Sequence, residues 1–242
     1  MRKITSVVFL AAALALSVGN AAAVPYTFTN IVDSSGGFGS FAGNLVNNSG
    51  TVAFVGLLDT LEQGIFTASG GPITTIADTS GPFSDVFGSS LNNSGTMAFL
   101  AYLDTGEQGI FTGSGGPTTT IVDTTSGAFD ILFAPSLNNR GMVAFSGYRG
   151  LGGGIFTGPD LLADEVISID DTLFGSTVAF LSTGPGSLNG TGQIAFSYLL
   201  ADGRVGIARA DPLVTPAPEP GTLPLLIAGL LGALLWRKGK ST

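Results

Sequence analysis

The chain has no cysteine and no histidine among its 242 residues, and only 11% of them are charged. Without cysteine there are no disulfides to staple a fold and no thiol nucleophile. Without histidine the commonest general base, the usual zinc ligand and the Ser-His-Asp kind of triad all drop out. Cations are scarce between the ends: Arg2, Lys3, Arg237, Lys238 and Lys240 are terminal, which leaves Arg140, Arg149, Arg204 and Arg209. Every acid except Glu219 lies between those ends, so four positive charges face 16 negative ones, a formal −12. Such a surface repels phosphate backbones and anionic lipid, which excludes nucleic acid as a partner. An amphipathic helical period is also missing from this middle region.

What is present begins with two apolar ends. Arg2 and Lys3 precede an apolar run from Ile4 to Val18, and Ala21, Ala22 and Ala23 supply the small-residue pattern of a secretory cleavage site. This predicts a signal peptide over 1–23, read by the Sec export machinery, with Val24 as the first mature residue. At the other end, Pro218, Glu219 and Pro220 precede an apolar stretch from Leu223 to Trp236 and then Arg237, Lys238 and Lys240. As a helix, those 14 residues rise about 21 Å, short against a hydrocarbon core of about 30 Å. Trp236 falls where an interfacial aromatic belongs, and the cations behind it favour the cytoplasmic side. The Pro-rich run resists helix formation and reads as an extended stalk.

These three parts in this order resemble the PEP-CTERM sorting signal of Gram-negative bacteria. The resemblance implies recognition of Pro218, Glu219, Pro220, Trp236, Arg237 and Lys238 by an exosortase, a membrane transpeptidase that cuts near the motif. It covers about the last tenth of the chain. The alternative is an ordinary C-terminal membrane anchor. The expected organisation is a signal peptide at 1–23, a β module at 24–212, a stalk at 213–222 and an apolar helix with a basic tail at 223–242.

The middle is a repeat. Asn47 to Phe54, Asn92 to Phe99, Asn138 to Phe145 and Asn189 to Phe196 align, and their shared Gly50, Gly95, Gly141 and Gly192 are 45, 46 and 51 residues apart. A Gly-Ile-Phe-Thr signature follows at Gly64, Gly109 and Gly154, with a degraded copy at Gly206-Ile207-Ala208-Arg209. A Thr/Ile run ending in Asp appears at Asp33, Asp78 and Asp123 and more loosely at Asp170. Val, Ile, Phe and Thr punctuated by glycine favour four short strands per unit, in the order Val-Ala-Phe, Ile-Phe-Thr, Thr-Ile and a Phe-containing strand. The fold class is all-β. Asn47, Asn92, Asn138 and Asn189 read as turn residues, with Gly50, Gly95, Gly141 and Gly192 supplying the left-handed backbone.

Val52 and Phe54 point one way along a strand, Ala53 and Val55 the other, so both faces are apolar and both need covering. Units of about 45 residues covered by their neighbours fit β-propeller blades. The chain starts and stops in mid-unit, so the expectation is four blades, one of them completed by strands from 26–46 and from 192–210. A β-solenoid or an open stack of sheets is the alternative. The Asn-x-x-Gly-x-x-Ala-Phe repeat also resembles bacterial surface proteins built of tandem repeats with interchangeable anchors, a likeness that implies no activity.

Repeated carboxylates, Asp59 with Glu62 and Asp104 with Glu107, are the only pattern that suggests hydrolysis. Copied positions supply equal carboxylates, however, where glycoside cleavage needs unequal ones. No metal or cofactor motif is present; Ca²⁺ on the acids is the one ion to consider, without an Asp-x-Asp-x-Asp-Gly loop to hold it. The interval from Gly154 to Gly206 is 52 residues, and its extra length carries Asp160, Asp164, Glu165, Asp170 and Asp171, the first place to look for a ligand. The sequence therefore predicts a non-enzymatic exported protein of the cell surface, outer membrane or matrix, with a structural or adhesive role linked to exopolysaccharide. A lectin-like module and a secreted hydrolase are the alternatives.

Overall fold

The computed structural model describes residues 26–213. The leader expected at 1–23, nearly all of the stalk and the 223–242 tail lie outside the described residues, with Ala21, Ala23 and every residue of the sorting motif. The chain divides into one unit up to Asn30 and another from Ile31. Of the first, 26–30 are described and carry no strand or helix. The second is all-β: four antiparallel sheets and a single 3-10 turn, Thr124–Ser126, among the described residues.

Sheet 1 holds β1 (Phe38–Val46), β2 (Val52–Leu58), β3 (Gln63–Ala68) and β4 (Thr74–Asp78), in that order. Sheet 2 repeats it with β5 (Phe83–Leu91), β6 (Met97–Leu103), β7 (Gln108–Gly113) and β8 (Thr119–Asp123). In sheet 3 the first strand is split into β9 (Ile131–Leu132) and β10 (Ser136–Leu137), followed by β11 (Val143–Arg149), β12 (Gly152–Phe156) and β13 (Glu165–Ser168). Pro135, with no N–H to donate, lies at the split. Sheet 4 holds β14 (Thr172–Leu173), β15 (Ser176–Ser182), β16 (Ile194–Leu200) and β17 (Val205–Ala210).

The strand types are those the repeat predicts, but sheets 1 to 3 start with the Phe strand, and in sheet 4 only the short β14 precedes it. Asn-x-x-Gly is a tight hairpin: Asn47 N–H donates to Thr51 O and Gly50 N–H to Asn47 O, both at 3.0 Å. Gly50 sits at φ +80°. That turn pairs the Phe strand with the Val-Ala-Phe strand behind it, Val46 opposite Val52, so the crossover between sheets falls after the Thr-Ile strand. This phase overturns the blade expected from both chain ends. β1 pairs with β2, β17 pairs with β16, and no sheet mixes strands from the two ends among the described residues. Four sheets in chain order take the place of three blades and two halves.

Each sheet has two unlike apolar faces. One carries aromatic rings, as Phe83, Phe99 and Phe111 of sheet 2, and the other carries small or branched groups, as Ala53 and Ile65 of sheet 1. The two meet in one buried cluster. Ala98 and Ile110 of sheet 2 cluster in the same way with Phe129, Phe145 and Phe156 of sheet 3, and Ala144 and Ile155 with Leu181 and Phe196 of sheet 4. Burying each such large side chain contributes about 1.5–3 kcal/mol, so the interfaces between sheets hold the stack together. Within a sheet the rings pack edge to face, with Phe83 and Phe111 centroids 4.9 Å apart and Phe129 and Phe156 5.0 Å apart. The Gly-Ile-Phe-Thr glycine makes room for this: a Cβ on Gly109 would lie 2.5 Å from the Phe111 ring, and on Gly64 2.6 Å from that of Phe66.

Candidate functional site

The asparagine turns are the most repeated polar feature. Each Asn side chain caps its own hairpin: Asn47 Oδ1 accepts from Ser49 N and Thr51 N at 3.0 and 2.9 Å, and Asn92 Oδ1 from Ser94 N and Thr96 N at 3.1 and 2.9 Å. Asn138 and Asn189 do the same at 2.9 to 3.0 Å. Gly95, Gly141 and Gly192 hold the same left-handed φ as Gly50, +83°, +83° and +88°. The turns also join sheet to sheet. Asn47 Nδ2 donates to Asn92 O at 2.9 Å and Asn138 Nδ2 to Asn189 O at 3.0 Å.

Neighbouring residues that the sequence reading left out extend this ladder. Asn48 N–H donates to Asn93 Oδ1 at 3.0 Å, and Asn93 N–H to Asn139 Oδ1 at 2.8 Å. Leu137 N–H donates to Ser90 Oγ at 3.0 Å, and Leu188 N–H to Ser136 Oγ at 3.1 Å. Lower in the sheets, Gln63 Nε2 donates to Val86 O at 2.8 Å and Gln108 Oε1 accepts from Leu132 N at 2.9 Å. Tyr148 OH donates to Leu181 O, and burial pushes its phenol above its ordinary value. The signal for the second asparagine was its repetition at 48, 93 and 139, one residue behind the first.

The repeated acids serve turns. Asp33, Asp78 and Asp123 Oδ1 accept from Ser35, Ser80 and Thr125 N–H at 2.9, 3.0 and 3.0 Å. Asp59 and Asp104 donate backbone N–H across to Gly37 O and Pro82 O at 3.0 Å. Glu62 and Glu107 accept the closing turn bonds on their carbonyls at 2.8 Å, and each keeps a buried Oε2 without a hydrogen-bond partner. Asp33, Asp78 and Asp123 thus cap their turns with carboxylates, whereas Asp59, Glu62, Asp104 and Glu107 enter theirs through the backbone.

The insertion after Gly154 forms two turns at opposite ends of β13. In the first, Asp160 Oδ1 accepts from Ala163 and Leu162 N–H, contacts that hold its carboxyl below the ordinary value, while Asp164 Oδ2 accepts from Asp160 N at 3.0 Å. In the second, Asp171 Oδ2 accepts from Ser168 N at 2.8 Å and Asp170 stands at φ +74°. Glu165 opens β13 between them. Among the described residues no three acidic, His or Cys side chains are placed to share a metal ion. Beside the first turn is a groove of about 290 Å³, with Phe129 and Phe156 among its walls, Leu161 and Leu162 from the insertion, and Arg149 and Glu165 as its charged groups.

A second concavity, of about 230 Å³, lies between sheets 1 and 2. Its lining includes Leu45, Phe54, Val55, Met97 and Ser89, and Pro185 from the loop after β15 also reaches it. Ser89 Oγ is buried there without a partner. Among the described residues no helix is long and apolar enough to cross a membrane.

The model of a family of unknown function, DUF7453, matches residues 29–164. The match starts at the Thr-Ile segment ahead of sheet 1 and ends in the first turn of the insertion, more than half of the chain. No curated protein matches.

Proposed function

Because the chain belongs to the DUF7453 family, whose function is unknown, its role has to be read from its own residues, and we propose that it is an exported structural or adhesive protein of the cell surface or matrix. The observation that carries this reading is the ladder of Asn, Ser and Gln bonds. The polar side chains that recur with the repeat link one sheet to the next, as in a scaffold. The ends supply the route: a Sec-type leader at 1–23 and a PEP-CTERM-like tail, with an exosortase-type transpeptidase as processing partner and extracellular polysaccharide as the material it joins. The test is the intact mass of the protein recovered from cells and medium, with and without the sorting enzyme. The expected mature form has lost the leader and the residues behind Pro220. A mature form that keeps residues 221–242 defeats the sorting reading in favour of a plain anchor.

The groove beside the insertion favours a second reading, a glycan-binding module, because it sets Arg149 and Glu165 beside the apolar side chains of Leu161 and Leu162, a mixed polar and apolar lining that suits a sugar. Glycan-array binding that weakens when Arg149→Ala or Glu165→Gln is introduced supports it. Binding untouched by both changes ends it.

A further inference from the structure

Three internal interfaces repeat one pattern, and the two ends of the stack show its separated halves. Ile65, Ile110 and Ile155 occupy equivalent positions on β3, β7 and β12, and each is completely buried by the sheet that follows. Ile207 holds that position on β17, where no sheet follows among the described residues, and it is 81% exposed. On the aromatic side, Val86, Leu132 and Leu181 lie opposite Ala101, Gly147 and Tyr198 and are sealed by the preceding sheet. Phe41, in the same register opposite Gly56, is 42% exposed.

Two further halves match. Sheets 1, 2 and 3 each end in a fourth strand type, β4, β8 and β13, whereas sheet 4 ends at β17. Ahead of sheet 1, Ile31 and Val32 stand in the repeat where Ile76 and Ala77 do, and they pack on the Phe38, Phe54 and Phe66 rings, as Ile76 and Ala77 pack on the rings of sheet 2. Among the described residues, sheet 4 carries no strand of the last type, and the segment of that type at 31–32 belongs to none of the four sheets. The ladder breaks at the same place: Asn138 Nδ2 reaches forward to Asn189, while Asn189 Nδ2 turns back to Gln193 Oε1 at 2.7 Å.

We propose that these halves join between molecules: sheet 4 of one copy docks on the aromatic face of sheet 1 of a second copy. Ile207 enters beside Phe41, and β17 pairs with the segment at 31–32, Ile207 opposite Val32 as Ile65 lies opposite Ala77 in sheet 1. The occupant is a second copy because the surface each face requires exists in this chain and is already used three times within it. Within one molecule sheet 4 meets the sheet 1 cavity through Pro185, with Ile207 and Phe41 both left open. Two different faces make a heterologous contact, which adds copies head to tail until a ring closes or a fibre grows. The contact does not depend on how the chain is exported.

The absence of cysteine makes the test clean. Full-length chain carrying Ile207→Cys is mixed, under mild oxidation in non-denaturing detergent, with full-length chain carrying Phe41→Cys. Leu151→Cys, at a position 98% exposed on sheet 3, is the control for chance collision. The expected result is a disulfide-linked pair that stops at two chains, formed about tenfold more than the control dimer, a ratio equal to about 1.4 kcal/mol. A chain carrying both Ile207→Cys and Phe41→Cys is expected to give a ladder of dimers, trimers and longer species. A doubly substituted chain that links within a single monomer overturns the proposal in favour of closure on itself. Cross-linking no greater than the Leu151→Cys control overturns it as well.

Discussion

Asn138 and Asn189 hold the same place in the repeat and cap equivalent hairpins, yet of the two only Asn138 also donates to the next sheet and is buried. Replacing it removes a cap and leaves Asn189 O with one fewer donor inside the interface. We expect Asn138→Ala to cost about 2–3 kcal/mol, the combined scale of a lost cap and an unmet buried group. Asn189→Ala removes an exposed cap alone and should cost about 1 kcal/mol. Chemical denaturation of both variants checks this, and equal losses would mean that the inter-sheet bond contributes nothing. The turn role of these residues was legible because Asn-x-x-Gly has a local mechanism. The second role was hidden, since which carbonyl lies beyond Nδ2 depends on a residue 51 positions away. The acids of the insertion show the reverse limit. Their clustering in sequence suggested one shared site, but tight turns at the two ends of β13 separate them and direct Asp160, Asp164 and Asp171 to nearby backbone.

At the scale of the strand and sheet, the alternation of Phe with Ala read correctly as two apolar faces, and the β class followed from it. The phase did not follow. Periodicity gives strand type and spacing but does not say which of two consecutive turns closes a hairpin and which crosses to a new sheet. Here the three-residue reach from Asn47 to Gly50 closes the hairpin, and the stretch from Asp78 to Phe83 crosses. The aromatic triads give this scale its test. Phe99 is fully buried between Phe83 and Phe111 with sheet 1 upon them, so Phe99→Ala should cost about 3–5 kcal/mol. Phe180, half exposed on β15 of the last sheet, should cost far less when replaced by Ala. Thermal unfolding that ranks the two together would show that the sheets are not held by ring against small side chain.

For the whole molecule, repetition at 45 and 46 residues announced a series of similar sheets, expected as a closed ring of four blades, and the longer third interval announced the insertion. Closure was not legible, because a sequence carries each face separately and not the partner that will cover it. The last unit also departs from the pattern, with Ala208 where the others have Phe66, Phe111 and Phe156, and such a loss in a terminal unit is what an end position permits. The unlike faces of each sheet have a consequence for how such proteins change over time. Since every unit presents rings on one side and small side chains on the other, duplicating or deleting one 45-residue segment alters the length of the array and leaves its two outermost surfaces chemically as they were. With the head-to-tail contact proposed above, a variant lengthened or shortened by recombination would still recognise one of the original length.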